Sequence, residues 1–360
     1  MAEKNFAFES GEVSIAFPLI GGLGDNVIAK KFFDAIIELA PNCAIDIFCI
    51  NESLKIMASA FFGQSKNLNL ILDYNGLYKE NIQNYDLALC LFGARCIILE
   101  RVNPQTLQEK SPALFQSVLK IEEYNKHNLH GIGSPNAVSL RNSNASRILG
   151  KNCFWFLSCG GALPIRDDKV NIPLLPEYKA EFERLNLGNY ITVYSDIEFN
   201  FTPPKVKTWP IRHLVEYVAL IKKRFPNISI VQCGSGRDMK IENADRHFLN
   251  VDLELMKYIL ANSSLLHVGC EGGLIHLATA LGTKCVVLFG FNNVHYFGYD
   301  RNINIVSDVC FPCADIWYDG MSRICGRGAT EPPCMLSITP QHVCEVTCNY
   351  LSHLDLKNNA

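Results

Sequence analysis

The sequence predicts an α/β protein built of two consecutive units in which strands and helices alternate, and three observations carry that reading. Short apolar runs recur between amphipathic stretches of helical period along most of the chain. Glycine-rich turns join strand to helix in "GGLGD" and "GCEGG" and end the strand in "ISIVQCGSG". The length, 360 residues, exceeds what one core usually serves, so two domains of roughly 170 residues each are expected.

The first half opens with "EVSIAFPLIGGLGDNVIAKKFFDAIIELAP", a strand, a glycine turn and a helix. Val27, Ile28, Phe32, Phe33, Ile36 and Ile37 share the helical period, and Pro41 ends it. Further strands are read at "AIDIFCI", "LNLILDY" and "YDLALCLFG", and the alternation implies a parallel sheet covered on both faces. From about 101 to 160 the pattern is less regular and reads as helices and loops. Charge and proline density rise in "IRDDKVNIPLLPEYKAEFERLNLGN", which marks a boundary. The second half repeats the alternation: strand "YITVYS", helix "HLVEYVALIKKRFP", strand "ISIVQC", helix "DLELMKYILANS", strand "LLHVG", a helix, and strand "CVVLFG". The expected division is 1–172, then 173–345 including a cysteine loop at 310–334, then a C-terminal helix and tail at 346–360.

Composition excludes several classes. Net charge is -3 with both signs mixed, so the basic face that nucleic-acid binding needs is missing. No run approaches 18 apolar residues, and no charged-then-apolar leader opens the chain, which reads as cytoplasmic. A peripheral contact with the inner face of the cytoplasmic membrane is compatible with this composition. An odd count of fifteen cysteines, many in apolar segments such as "LALCLFGARCIILE", fits reduced, buried thiols instead of a secreted disulfide framework.

Three motifs carry candidate chemistry, each with a structural alternative. In "GGLGD", Gly22 and Gly24 let the chain turn tightly; as a dinucleotide fingerprint the motif fails, because Val27 stands where Gly or Ala is needed. Asp25 is either an acid favoured by the helix dipole or a carboxylate projecting into a ligand crevice at the sheet's carboxyl edge. In "KTWP", Trp209 and Pro210 suit a helix start, whereas Lys207 is a cation placed against the dipole unless an anion lies between. In "HVGCEGGLIHLATALG", Glu271 lies on the turn, and Gly272, Gly273 and Leu274 offer N–H donors to a phosphate. His276 is either a satisfied structural residue or a group within reach of that ligand.

Cys310, Cys313, Cys325 and Cys334 give C-x2-C-x11-C-x8-C in a loop rich in Gly and Pro. That spacing points to a tetrahedral thiolate site for zinc or iron; the alternative is four ordinary buried cysteines. Cys344 and Cys348, at i and i+4, read as packing residues.

Taken together, "GGLGD", "KTWP", "GCEGGLIHLATALGTKCVVLFG" and "CFPC" through "PPCMLSITPQHV" resemble the family 9 glycosyltransferases, the ADP-heptose:lipopolysaccharide heptosyltransferase group. The resemblance covers most of the chain. It implies the GT-B architecture, two facing Rossmann-like domains with a cleft between them, the donor held mainly by the C-terminal one. It implies inverting transfer of heptose from ADP-heptose to a cell-envelope saccharide or a protein, with Asp25 as catalytic base and Lys207 neutralising donor phosphates. Glu271, Gly272, Gly273 and His276 fall on the donor motif, which usually runs Asp, then Ser or Thr, then Gly; here Glu271 and Gly272 depart from it. The chemical step then requires no metal, and no Asp-x-Asp motif is present. The four cysteines resemble the iron-binding finger of a related group of protein-modifying autotransporter heptosyltransferases, which implies a closed structural site. Two alternatives are a GT-B epimerase of sugar nucleotides and a non-catalytic module that binds a sugar nucleotide or a metal.

Overall fold

A computed structural model describes residues 8–9, 11–92, 96–129, 135–196, 206–261, 264–310, 312–313 and 325–358. The chain divides into two compact units, Met1–Asn142 with Cys153–Pro173, and Ser143–Asn152 with Leu174–Ala360.

In the first unit the alternation is β1 (Val13–Leu19), α1 (Leu23–Leu39), β2 (Cys43–Cys49), α2 (Glu52–Phe62), β3 (Leu68–Asp73) and α3 (Leu77–Asn81), followed by the pair β4 (Leu87–Phe92) and β5 (Cys96–Val102). The helices α4 (Pro104–Lys110), α5 (Pro112–Leu129), α6 (Pro135–Leu149) and α7 (Cys153–Leu157) come next. The sheet order is β3-β2-β1-β4-β5. Every residue of β1 and β2 is buried, as the apolar runs require of strands covered on both faces. Val27, Ile28, Phe32, Phe33 and Ile36 form the buried stripe of α1, which stops at Leu39 before Pro41.

One part of the sheet departs from the sequence reading. The segment after "YDLALCLFG" turns back as β5, antiparallel to β4, instead of entering helix or loop. Two apolar runs close together in the chain pair as antiparallel neighbours, and an antiparallel strand can close the edge of a parallel sheet.

The second unit carries α8 (Lys179–Arg184), β6 (Tyr190–Val193), α9 (Ile211–Arg224), β7 (Ser229–Gly234), β8 (Arg246–Leu249), α10 (Leu253–Ala261), β9 (Ser264–Cys270), α11 (Gly273–Ala280), β10 (Cys285–Phe289), α12 (Val294–Phe297), β11 (Ile303–Val306), α13 (Pro333–Ser337) and α14 (Pro340–Asn358). Its six strands are all parallel, in the order β11-β10-β9-β6-β7-β8. Counted from β6, this is the doubly wound order 3-2-1-4-5-6, whose direction reverses between β6 and β9. The core on one side is Leu214, Tyr217, Val218 and Ile221 of α9, with Val343 and Leu351 of α14 packed beside them. The last helix thus belongs to this core.

No disulfide joins any of the fifteen cysteines, all of which lie among the described residues. Those within strands are buried, and burial pushes the Cys49 and Cys285 thiols up to about 12, so they behave as small apolar groups. Among the described residues no helix is long and apolar enough to cross a membrane.

Candidate functional site

In open parallel sheets, ligands bind beyond the carboxyl ends of the strands where the strand order reverses. In the second unit that point lies between β6 and β9, paired in parallel with Val193 opposite Val268. The chain leaves β6 through Tyr194, Ser195 and Asp196, and leaves β9 through Glu271 and Gly272 into α11. Two carboxylates therefore arrive at one edge.

Lys207 lies at the same place. Its Nζ donates to the Glu271 carbonyl at 3.2 Å and lies 3.6 Å from Asp196 Oδ2. Burial alone would lower its pKa, but the charges of Glu271 and Asp196 outweigh that and raise it. Gly272, the residue before α11, has φ 168, an extended conformation open to any residue. What distinguishes the position is proximity: a Cβ there would lie 3.4 Å from Lys207 Nζ. The absent side chain leaves the start of α11 open to the ammonium. Trp209 explains why the lysine is held there, since its backbone N–H donates to Cys270 Sγ at 3.1 Å and its indole N–H to the Ile338 carbonyl at 2.8 Å. Pro210 then precedes the first residue of α9.

Asp196 is a site residue that the sequence reading missed. Its backbone is left-handed, φ 52, a conformation Asp tolerates better than most residues. The Tyr194 hydroxyl donates to its Oδ1 at 2.9 Å. The available signal was position alone, an acid just past the first strand of a doubly wound sheet.

Glu271 is the hub of the arrangement. It is buried; Oε1 accepts from His276 Nε2 at 3.2 Å, and Oε2 accepts from the Asn292 amide. Burial alone would raise its pKa, yet the hydrogen bond from His276, the Lys207 charge and the Asn292 amide together hold it down to about 2. His276, in the first turn of α11, is also buried, with Nδ1 2.7 Å from the Tyr299 hydroxyl and the two rings meeting edge to face. The Arg301 guanidinium lies over the Tyr299 ring, 4.7 Å from its centroid. Lys207, Glu271, Gly272, Gly273 and His276 are therefore gathered around one helix start, with Asp196, Asn292 and Tyr299 as additions from the structure.

In the first unit, Asp25 sits in the first turn of α1, where its Oδ2 accepts the Gly22 backbone N–H at 2.9 Å. That is the helix-start role the dipole favours. Gly21 has φ +87, and a Cβ there would fall 2.6 Å from Asp25 Oδ2, so glycine is needed for both conformation and space. Buried Asn26 ties the turn from below by donating to the Gly22 carbonyl at 2.7 Å. Gly24 is the second residue of the helix.

The four cysteines expected to hold a metal are all described, but the segment between Cys313 and Cys325 is not. Cys310 and Cys313 are half-buried, Cys325 and Cys334 buried. Burial pushes the Cys334 thiol up to about 12, and the charges that Cys310, Cys313 and Cys325 would carry push in the same direction, so those three lie within electrostatic reach of Cys334. Among the described residues, however, no three His, Cys, Asp or Glu side chains converge as metal ligands. Residues 311 and 314–324 of the expected loop lie outside the described residues. Cys334 also packs tightly on the end of β10, where a Cβ at Gly290 would lie 2.9 Å from its Sγ. Cys344 and Cys348 lie on α14 with their sulfurs 3.7 Å apart, against the core of the second unit.

No family model matches the chain, and no curated protein matches its sequence. Solved structures do match in fold. The Escherichia coli ADP-heptose LPS heptosyltransferase II superposes with TM-score 0.57 at 16% identity, over 97% of this chain and 100% of that one. A glycosyl transferase family 9 protein from Veillonella parvula gives TM-score 0.57 at 14% identity, over 95% and 97%. The dodecameric iron-containing heptosyltransferase TibC, solved in complex with ADP-D-beta-D-heptose, gives 0.61 at 12% identity, over 96% of this chain and 77% of that one. A second TibC structure, from enterotoxigenic Escherichia coli H10407, gives 0.60 at 13% identity, over 95% and 79%. At these identities the likeness is one of fold, and the chain has the fold of the GT-B heptosyltransferases: two α/β units, each built on a largely parallel sheet.

Proposed function

We propose that this chain is an inverting glycosyltransferase of the family 9 type, taking heptose from ADP-heptose and passing it to a cell-envelope saccharide or a protein in the cytoplasm or at the inner face of the membrane. The observation that carries the reading is the cation, carboxylate and open helix start formed by Lys207, Glu271 and Gly272 where the strand order reverses. A diphosphate placed there meets the backbone N–H groups of Gly272, Gly273 and Leu274 and the positive end of α11. An ionised carboxylate offers about four lone-pair sites, so Glu271, with one partner on each oxygen, retains acceptor capacity for donor hydroxyls.

Transfer then runs as a single displacement. The acceptor hydroxyl gives its proton to Asp25 and its oxygen bonds to the anomeric carbon, while the bond from that carbon to the diphosphate breaks with inversion. Charge grows on the leaving diphosphate, where Lys207 and the amides at the start of α11 stabilise it. These groups supply what a divalent ion supplies elsewhere.

The test has two parts. ADP, UDP and GDP are compared by thermal shift on the full chain; ADP at 100 times its dissociation constant should add about 2.7 kcal/mol, and no response to any nucleotide would count against the donor site. Asp25→Asn should keep that response and lose transfer from ADP-heptose to envelope fractions by about 100-fold or more. Nucleotide binding without transfer in the unaltered protein would leave the non-catalytic alternative.

The same proposal includes a structural metal, zinc or iron, on Cys310, Cys313, Cys325 and Cys334, supported by the electrostatic reach of the other three cysteines to Cys334 and by the iron in TibC. Four thiolates leave no open position, so such an ion would brace the loop and take no part in transfer. Native mass spectrometry should find one metal per chain, lost in a Cys313→Ser, Cys334→Ser double variant; a metal-free protein after reduction and reloading overturns it.

A further inference from the structure

We propose that Asp196 is an internal counter-anion for Lys207: its carboxylate competes with a ligand's phosphates for the same ammonium, so the site holds a diphosphate less tightly, and releases it faster, than Lys207 and the start of α11 alone would. The inference rests on the reading of Lys207, Glu271 and Gly272 as the place where a nucleoside diphosphate binds, and adds to it a residue that acts against retention of the ligand.

The carboxylate is held in place for this. Asp196 follows β6 with a left-handed backbone, φ 52, and its Oδ1 accepts the Tyr194 hydroxyl at 2.9 Å. Tyr194 is itself packed on β9, where a Cβ at Gly269 would lie 3.4 Å from the tyrosine Cβ. Oδ2 is then the oxygen that faces Lys207, 3.6 Å from Nζ. The Asp196 side chain is 8% exposed and that of Lys207 27%, so water screens the pair only in part. Glu271 stands differently toward the same cation: its carboxylate oxygens accept from His276 and Asn292, and its backbone carbonyl takes the Lys207 N–H.

The distance decides what the contact can do. A direct ammonium–carboxylate hydrogen bond spans about 2.7–2.9 Å, so at 3.6 Å the attraction is Coulombic and Lys207 can turn a donor to a ligand oxygen without leaving Asp196. Burial opposes the Lys207 charge, and the charges of Glu271 and Asp196 restore it. Two carboxylates against one ammonium leave net negative charge where a diphosphate is to dock. Glu271 is accounted for by its acceptor role, whereas Asp196 shares the cation with the phosphates and repels them across it. A free diphosphate carries about one more negative charge than a sugar-linked one, because its terminal phosphate ionises again near pH 6. The repulsion therefore falls harder on the departing product than on the arriving donor.

The experiment titrates the full chain with ADP, inorganic pyrophosphate and uncharged adenosine by calorimetry. Asp196→Asn suits the left-handed backbone and still offers an oxygen to Tyr194, while Asp196→Gly removes the side chain where φ is positive at no steric cost. In both variants ADP and pyrophosphate should bind about tenfold more tightly, and adenosine should bind as before. By stopped flow, the gain should lie in slower dissociation of ADP. A merely structural role, or a role in holding Lys207 or a ligand hydroxyl, would weaken ADP binding or leave it unchanged, and either result overturns the proposal. So does a tightening that adenosine shares. If pyrophosphate binding tightens while ADP, UDP and GDP fail to bind, the nucleotide reading falls and the counter-anion stands; if ADP binds all three proteins equally, the reverse holds. Failure of every anion to bind any of them overturns both.

Discussion

Replacing Lys207 with methionine should weaken ADP binding about 100-fold, since a charge-assisted contact to phosphate is worth up to about 3 kcal/mol. Methionine keeps most of the aliphatic stem and removes only the ammonium. The loss has a second component in the free protein, because Asp196 and Glu271 both lose the positive charge of Lys207. Breaking a fully buried pair costs about 3–5 kcal/mol; with 27% of the lysine side chain exposed, about 2 kcal/mol is expected here. Calorimetry with ADP and denaturant unfolding separate the two effects. Unchanged ADP affinity would remove Lys207 from the phosphate site.

Glu271→Ala should destabilise the chain by about 3 kcal/mol at neutral pH, because the His276 Nε2–H and the Asn292 amide both lose their acceptor in a buried place. The effect should depend on pH in a definite direction. The folded pKa of Glu271, about 2, is depressed below its ordinary value of 4.5. Its contribution is therefore complete above about pH 4.5 and is lost as pH falls toward 2. Unfolding measured between pH 7 and 2.5 should show the two proteins converging in acid, and a constant difference would sink the assignment of that low pKa.

The fold was legible because its signals are local. Apolar runs, helical periods and glycine turns all lie within windows of ten or so residues, and they place the central strands of both sheets around the right turns; the short edge strands Arg246–Leu249 and Ile303–Val306 were not read. The β4 and β5 hairpin was missed for a related reason: "CIILE", just before the region read as irregular from about 101, was taken only as an apolar segment, while it pairs backward onto "LALCLF". At the site, Lys207, Glu271 and the glycines stood out through their positions at helix starts. Asp196, Asn292 and Tyr299 did not, because each acts on a residue more than ten positions away and no local pattern marks it. The cysteine spacing was legible, yet it fixes only which sulfurs can meet, and a charge-balancing ion is what would bring them to ligand distance.

The missing side chain at Gly272 has one further consequence. Where a hydroxyl there would offer a neutral hydrogen bond, this helix start is met by an ammonium borne on a separate segment. Under the proposed function, recognition at this point would depend on how many negative charges a ligand carries more than on where its oxygens lie, so discrimination between diphosphates and monophosphates would be electrostatic. It would then weaken as added salt shortens the screening length, from about 30 Å at 0.01 M to about 8 Å at physiological ionic strength.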